Sequence, residues 1–269
     1  MHVISNILKG IAISISQLVP GVSGGTIAII LGIYDDLIKA VNNLTKDFKK
    51  HAALLTQVGI GVLLGMFLFA RLIKVLFTNY PAQISFFFVG VIVGGIPLMY
   101  QKSTEKGFKA SNIIYILLGI LLVLLMSIDT KDHSVAIRAL TLTNSIWLFV
   151  GGFVMAIALI LPGISGSFML YILGLYNTLI TAISELNILI LIPIGLGVLV
   201  GTFSTAKILE TLLEKYPRQS YSMILGFIVG SIPALMPQLM PSGTILIQCI
   251  FLLILGVITI LFYNQSASA

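Results

Sequence analysis

The chain has 269 residues, of which 58% are hydrophobic and only 9% charged, and its mean hydropathy is +1.11. A soluble domain of this length needs far more charge to cover its surface, so the composition excludes that class and indicates an integral membrane protein. The net charge of +6 reads as loop charge facing anionic lipid, and no basic tract with interleaved aromatics points to nucleic acid.

The first segment, Ile4 to Ala40, is apolar but broken at the tip Pro20-Gly21-Val22-Ser23-Gly24-Gly25. Lys9 before an apolar stretch imitates a signal peptide, yet no small-residue cleavage site follows and Pro20-Gly21 stands in its place, so the segment is expected to belong to the fold. Its two arms of about 15 residues are each too short to cross a hydrocarbon core of about 30 Å comfortably, which predicts a re-entrant hairpin. Unbroken candidate spans follow at Ala53 to Phe77, Ala82 to Tyr100 and Ser111 to Ile128. A second broken segment, Ile146 to Ala182, precedes candidate spans at Leu189 to Leu213, Tyr221 to Leu239 and Gly243 to Phe262. Cys249 is the single cysteine, so no disulfide forms within the chain and no thiol metal cluster exists; a packed, inert thiol is expected.

The chain is written twice. Pro20 to Ile38 aligned with Pro162 to Ile180, an offset of 142, gives ten identities. Tyr80 to Pro97 aligned with Tyr216 to Pro233, an offset of 136, gives nine. The expected fold is therefore an all-α integral membrane protein of two repeats, residues 1–142 and 143–269, each a re-entrant helical hairpin plus three transmembrane helices. If each hairpin enters and leaves on one face, three crossings per half force the second repeat to be inverted. With both termini cytoplasmic, the inside loops hold Lys39, Lys46, Lys49, Lys50, Lys102, Lys106, Lys109, Lys215 and Arg218. The outside loops hold Asp129, Lys131, Asp132, Arg138 and Glu185, without a positive excess, as the positive-inside rule requires. Two full crossings per broken segment would leave the loops on the same sides, so charge does not separate that topology from hairpins.

Irregular backbone at membrane depth is tolerated where protein or water satisfies its polar groups. Pro20, Gly21, Pro162 and Gly163 break the two hairpins. The freed amides near Gly24, Gly25 and Gly166, with the hydroxyls of Ser23, Thr26, Ser165 and Ser167, form a candidate anion site where the tips approach each other. Glycine, serine and proline in membrane helices also serve close packing, and it is the duplication that favours a site. Arg71 and Lys207 are equivalent at the offset of 136, each about 15 Å of helix from the proline ending its span, so both are candidate head-group ligands near the midplane. Lys207 has Glu210 at i+3 and Glu214 at i+7, so a local ion pair is the alternative there; Arg71 has no carboxylate at helical spacing, and its planar fork suits a phosphate. Asp35 and Glu210 are candidates for coupling to an ion. Ser14, Ser16 and Gln17 give the first arm an inward polar face, and Trp147, Tyr80, Tyr216 and Tyr221 look like interfacial anchors.

The duplicated Pro-Gly-(Val/Ile)-Ser-Gly tip, the following "LGIYDDLI" and "LGLYNTLI", and the late "GVIVGGIP" and "GFIVGSIP" resemble the bacterial polyprenyl-phosphate transporter family over essentially the whole chain. That resemblance implies a flippase of the bacterial cytoplasmic membrane that returns undecaprenyl phosphate from the outer to the inner leaflet for cell-envelope synthesis. It makes Pro20 to Thr26 and Pro162 to Phe168 the central motif, with Ser167 for Gly25 and Phe168 for Thr26 as departures in the second copy. The expected partners are the lipid phosphate, membrane lipids and a coupling ion, proton or sodium, with alternating access between the leaflets. No cofactor and no metal site are expected. The competing reading is a transporter or channel for a small soluble anion. An intramembrane enzyme is disfavoured because no midplane His, Cys or carboxylate pair supplies a nucleophile and base, and direct ATP drive because no nucleotide-binding loop is present.

Overall fold

The computed structural model describes residues 2–19, 21–105, 107–128, 137, 140–237 and 239–268. Pro20, Lys106, Asp129, Lys131, Asp132 and Arg138, on which sequence expectations fell, lie outside the described residues. Among those described, all regular structure is helical, in twelve helices. The first six are α1 (His2–Gln17), α2 (Gly24–Ile30), α3 (Tyr34–Asn42), α4 (Phe48–Asn79), α5 (Pro81–Thr104) and α6 (Ala110–Ile128). The second six follow the same succession: α7 (Leu142–Ile160), α8 (Gly166–Ile172), α9 (Tyr176–Ser184), α10 (Ile188–Lys215), α11 (Pro217–Leu235) and α12 (Gly243–Ser268).

Each broken segment differs from two arms of about 15 residues. The second arm is itself split, into α2 and α3 or α8 and α9, because the chain turns at Gly32 (φ +66°) and Gly174 (φ +70°), a conformation that glycine adopts without steric cost. The α8–α9 pair bends by 113°. In the second hairpin the first arm is longer than expected, because Thr141 caps α7 by accepting from the Asn144 amide and starts it at Leu142, ahead of Ile146. Among the described residues five helices are long and apolar enough to cross a membrane, α4, α5, α7, α10 and α12, or six if α8–α9 is one bent span. Helix α6 is apolar over Ala110–Met126, and α11 falls short of that measure. Helix α11 stops at Leu235 rather than Leu239 because Met236, preceding Pro237, takes an extended conformation (ψ 140°).

Helices pair through glycine contacts that recur in both halves. On α4, Gly61 meets the Ile7 carbonyl of α1, and on α10 Gly197 meets the Phe149 carbonyl of α7, so both crossings use equivalent residues. Helices α6 and α12 are exchanged between halves: Gly90 of α5 abuts Leu253 of α12, and Gly226 of α11 abuts Ile116 of α6. An added Cβ at these positions lands on a carbonyl oxygen, which is why small residues hold the backbones together where lipid gives no hydrophobic drive. The largest core cluster wraps the first hairpin, with Ile29, Ile30, Ile92, Met99, Ala206 and Ile228 fully enclosed. Outward faces are apolar, as at Leu63, Phe67, Ile247 and Phe251, all exposed, which suits a lipid surround.

Gly61→Ala is expected to lower the thermal unfolding temperature in detergent, through overpacking worth about 1–3 kcal/mol. Gly59→Ala, which places its Cβ in open space, should hold or raise that temperature.

Candidate functional site

The tips of the two hairpins meet inside the protein. Thr26 Oγ1 accepts a hydrogen bond from the Gly163 amide at 2.9 Å. Gly25 lies against the chain at Ile160 and Pro162, where an added Cβ would stand 3.2 Å from the Ile160 carbonyl oxygen. The first tip is enclosed: Ser23 and all seven residues of α2 are buried. The second is less covered, with only Gly166, Met169 and Leu170 buried in α8.

That difference leaves a cavity of about 690 Å³ on the side of the second hairpin. One wall is the second tip with α8 and α9, including Ser165, Ser167, Tyr171 and Tyr176; facing it are Gln17, Leu18 and Gly21 of the first hairpin, Met126 of α6, and Ser231 and Ala234 of α11. Ser165 occupies the N-cap position of α8 without capping it, and its hydroxyl is 3.0 Å from that of Ser167. Most of the remaining lining is apolar: Val123, Met126, Met155, Phe168, Leu179 and Ile180. Ser167, Tyr176 and Ile180 are exposed, so the cavity opens to the exterior beside α9.

Polar links away from this cavity tie the first hairpin to other helices. Asp35 Oδ2 accepts from Lys102 Nζ at 2.7 Å and from the Tyr221 hydroxyl at 2.9 Å, and Lys102 Nζ lies 5.1 Å from the centre of the Tyr221 ring. Glu210, buried on α10, accepts from the amides of Asn42 and Asn43, the latter at 2.9 Å. Tyr34, buried on α3, donates to the Ile160 carbonyl at 2.8 Å. A second, small cavity of about 100 Å³ lies among these groups, lined by Asp35, Lys39, Glu210, Glu214 and Tyr221.

The family model described as VCA0040-like, undecaprenyl phosphate translocase-like, matches residues 13–245. The chain belongs to that family. A relative from Staphylococcus aureus (strain NCTC 8325 / PS 47), named polyprenyl-phosphate transporter, is 35% identical over 244 residues, covering 87% of this chain and 86% of the relative. A relative of the same name from Vibrio cholerae serotype O1 (strain ATCC 39315 / El Tor Inaba N16961) is 30% identical over 252 residues, covering 88% and 79%. No solved structure matches the chain.

In this member of the translocase-like family, Ser165, Ser167 and Gly163 line the large cavity, and Gly166 is buried just behind them. Ser23, Gly24, Gly25 and Thr26 are buried and do not line it, and among the described residues of the first tip only Gly21 does. Gln17 covers Gly24 with its side-chain amide and lines the cavity in its stead. Arg71 and Lys207 stand exposed on α4 and α10, outside the lining. The alternative Lys207–Glu210 ion pair is not formed, since the Glu210 carboxylate is taken by Asn42 and Asn43. Tyr171, Tyr176 and Ser231 line the cavity without having been singled out. For Tyr176 the available signal was its identity with Tyr34 at the offset of 142. Tyr221, read as an interfacial anchor, spends its hydroxyl on Asp35.

Thr26→Val leaves the Gly163 amide without its acceptor and is expected to cost about 1–3 kcal/mol of stability. Thr26→Ser, which retains the acceptor, should restore most of the loss in the same unfolding measurement.

Proposed function

We propose that the chain carries a polyprenyl phosphate, with undecaprenyl phosphate the leading candidate, across the bacterial cytoplasmic membrane from the outer to the inner leaflet. The observation that carries this reading is the chemistry of the large cavity. It offers hydroxyls and an amide at the meeting of the tips, from Ser165, Ser167 and Gln17, and an apolar wall elsewhere. An amphipathic ligand with a phosphate head and a hydrocarbon tail matches both parts, whereas a small soluble anion gains nothing from the apolar wall. The names of the two relatives point to the same substrate.

In this reading the two halves are inverted repeats and the site is exposed to one leaflet at a time. Lys102 at the end of α5 and Tyr221 at the start of α11 stand together at Asp35. This supports the topology in which the loops after α5 and before α11 lie on one face, the basic cytoplasmic one. The large cavity then opens toward the outer leaflet. Arg71 and Lys207 remain candidate head-group ligands in another state of the cycle. The coupling ion, proton or sodium, would act at Asp35 and Glu210, the carboxylates that fasten the closed face; neutralising them releases the donors they hold.

In proteoliposomes, leaflet-resolved transport of labelled undecaprenyl phosphate should be saturable and gradient-dependent. Ser165→Ala with Ser167→Ala should reduce it about tenfold, the worth of one phosphate hydrogen bond of about 1.5 kcal/mol. Transport of inorganic phosphate but no lipid under proton and sodium gradients would replace this reading with the small-anion one.

A further inference from the structure

The two hairpins have related sequences and stand in different environments. Helix α3 packs on the C-terminal part of α10, but no comparable packing joins α9 to α4. Residues equivalent at the offset of 142 make the difference plain. Tyr34 is 3% exposed and Tyr176 38%; Ile38 is 5% exposed and Ile180 48%. At the offset of 136, Glu210 is buried on α10 and Lys74 is exposed on α4. The sequence repeats, and the packing does not.

Exchanging the roles of the halves generates specific contacts. Tyr34 donates to the carbonyl of Ile160, whose equivalent is Leu18. Leu18 and Tyr176 already line the same cavity, one from the first hairpin and one from the second. Asn43 donates to Glu210, and their equivalents are Glu185 and Lys74, a carboxylate and an ammonium on the corresponding helix ends. Both members of the pair differ in chemistry between the halves, and each arrangement is complementary. In this structure Lys74 and Glu185 are exposed and form no ion pair with each other.

Resting on the alternating-access reading above, we infer that Tyr176, Lys74 and Glu185 are positioning residues of a second gate. When the large cavity closes, Tyr176 donates to the Leu18 carbonyl and Lys74 pairs with Glu185. In the same step the Tyr34–Ile160 and Asn43–Glu210 contacts part. An exchange of equivalent contacts in one sequence is the economical way to build two states of similar free energy. Lys74 thereby acquires a partner, and Glu185 acquires a role other than loop charge.

The test uses cysteine pairs in a Cys249→Ala background of the full chain, reconstituted in lipid. Lys74→Cys with Glu185→Cys should cross-link with a short bifunctional reagent, and the cross-linked protein should move no lipid. Pre-linking Asn43→Cys with Glu210→Cys should suppress that reaction at least about tenfold, since the two closures exclude each other. In transport, Lys74→Glu and Glu185→Lys should each slow the rate about tenfold, and the double exchange should recover most of it. Tyr176→Phe should slow transport without changing the thermal stability of the state described. Failure of the Lys74–Glu185 cross-link in protein that transports lipid overturns the gate and leaves the transport reading intact. Formation of both cross-links in the same molecules also overturns it. Mutually exclusive cross-links in protein that moves no lipid support the gate and remove the transport reading instead.

Discussion

Hydrocarbon offers no hydrogen bonds, so non-helical backbone inside a membrane must find its partners in the protein or in a water-lined cavity. Two chain breaks stand together in this fold, and they meet each other. The Thr26 hydroxyl takes the Gly163 amide, and Gly25 lets the second tip approach to van der Waals distance. The rest follows from that meeting. The two joined tips leave a cavity of about 690 Å³ beside the second one and only about 100 Å³ among Asp35, Glu210 and Tyr221.

The surrounding helices form a framework suited to this. Glycine crossings lock α1 on α4, α7 on α10, and the exchanged pairs α5 with α12 and α6 with α11. Such contacts depend on backbone proximity and tolerate little adjustment. The polar links of Asp35, Glu210 and Tyr34 are of another kind, being a few hydrogen bonds between side chains, or a side chain and a carbonyl, that small shifts can break. A rigid frame with exchangeable fastenings is what a carrier needs if its ligand must be held and then released on another side.

Much of this architecture was legible in the sequence because duplication is visible without coordinates. The ten identities around the tips and the nine around the Tyr-Pro pairs marked the repeat, and Pro-Gly marked the breaks. What remained hidden depends on azimuth and partners. Position along a helix led to an expected depth for Arg71 and Lys207, but not to whether they face the cavity, and they do not line it. Helical spacing offered Lys207 to Glu210; the actual donors, Asn42 and Asn43, are separated from Glu210 by 168 and 167 residues and reach it only through the packing of α3 on α10. Gly32 and Gly174 counted as identities between the repeats, yet periodicity did not reveal that each turns the chain and divides an arm in two.

The most direct measurement of the central claim, that the large cavity takes a lipid phosphate, is ligand protection of Ile180→Cys in a Cys249→Ala background. Ile180 is exposed and lines the cavity without contributing a polar group. A membrane-impermeant thiol reagent should label it from the outer face, and undecaprenyl phosphate should slow that labelling at concentrations at which inorganic phosphate and the dephosphorylated prenol do not. Equal protection by inorganic phosphate, or none by the lipid phosphate, would contradict the claim.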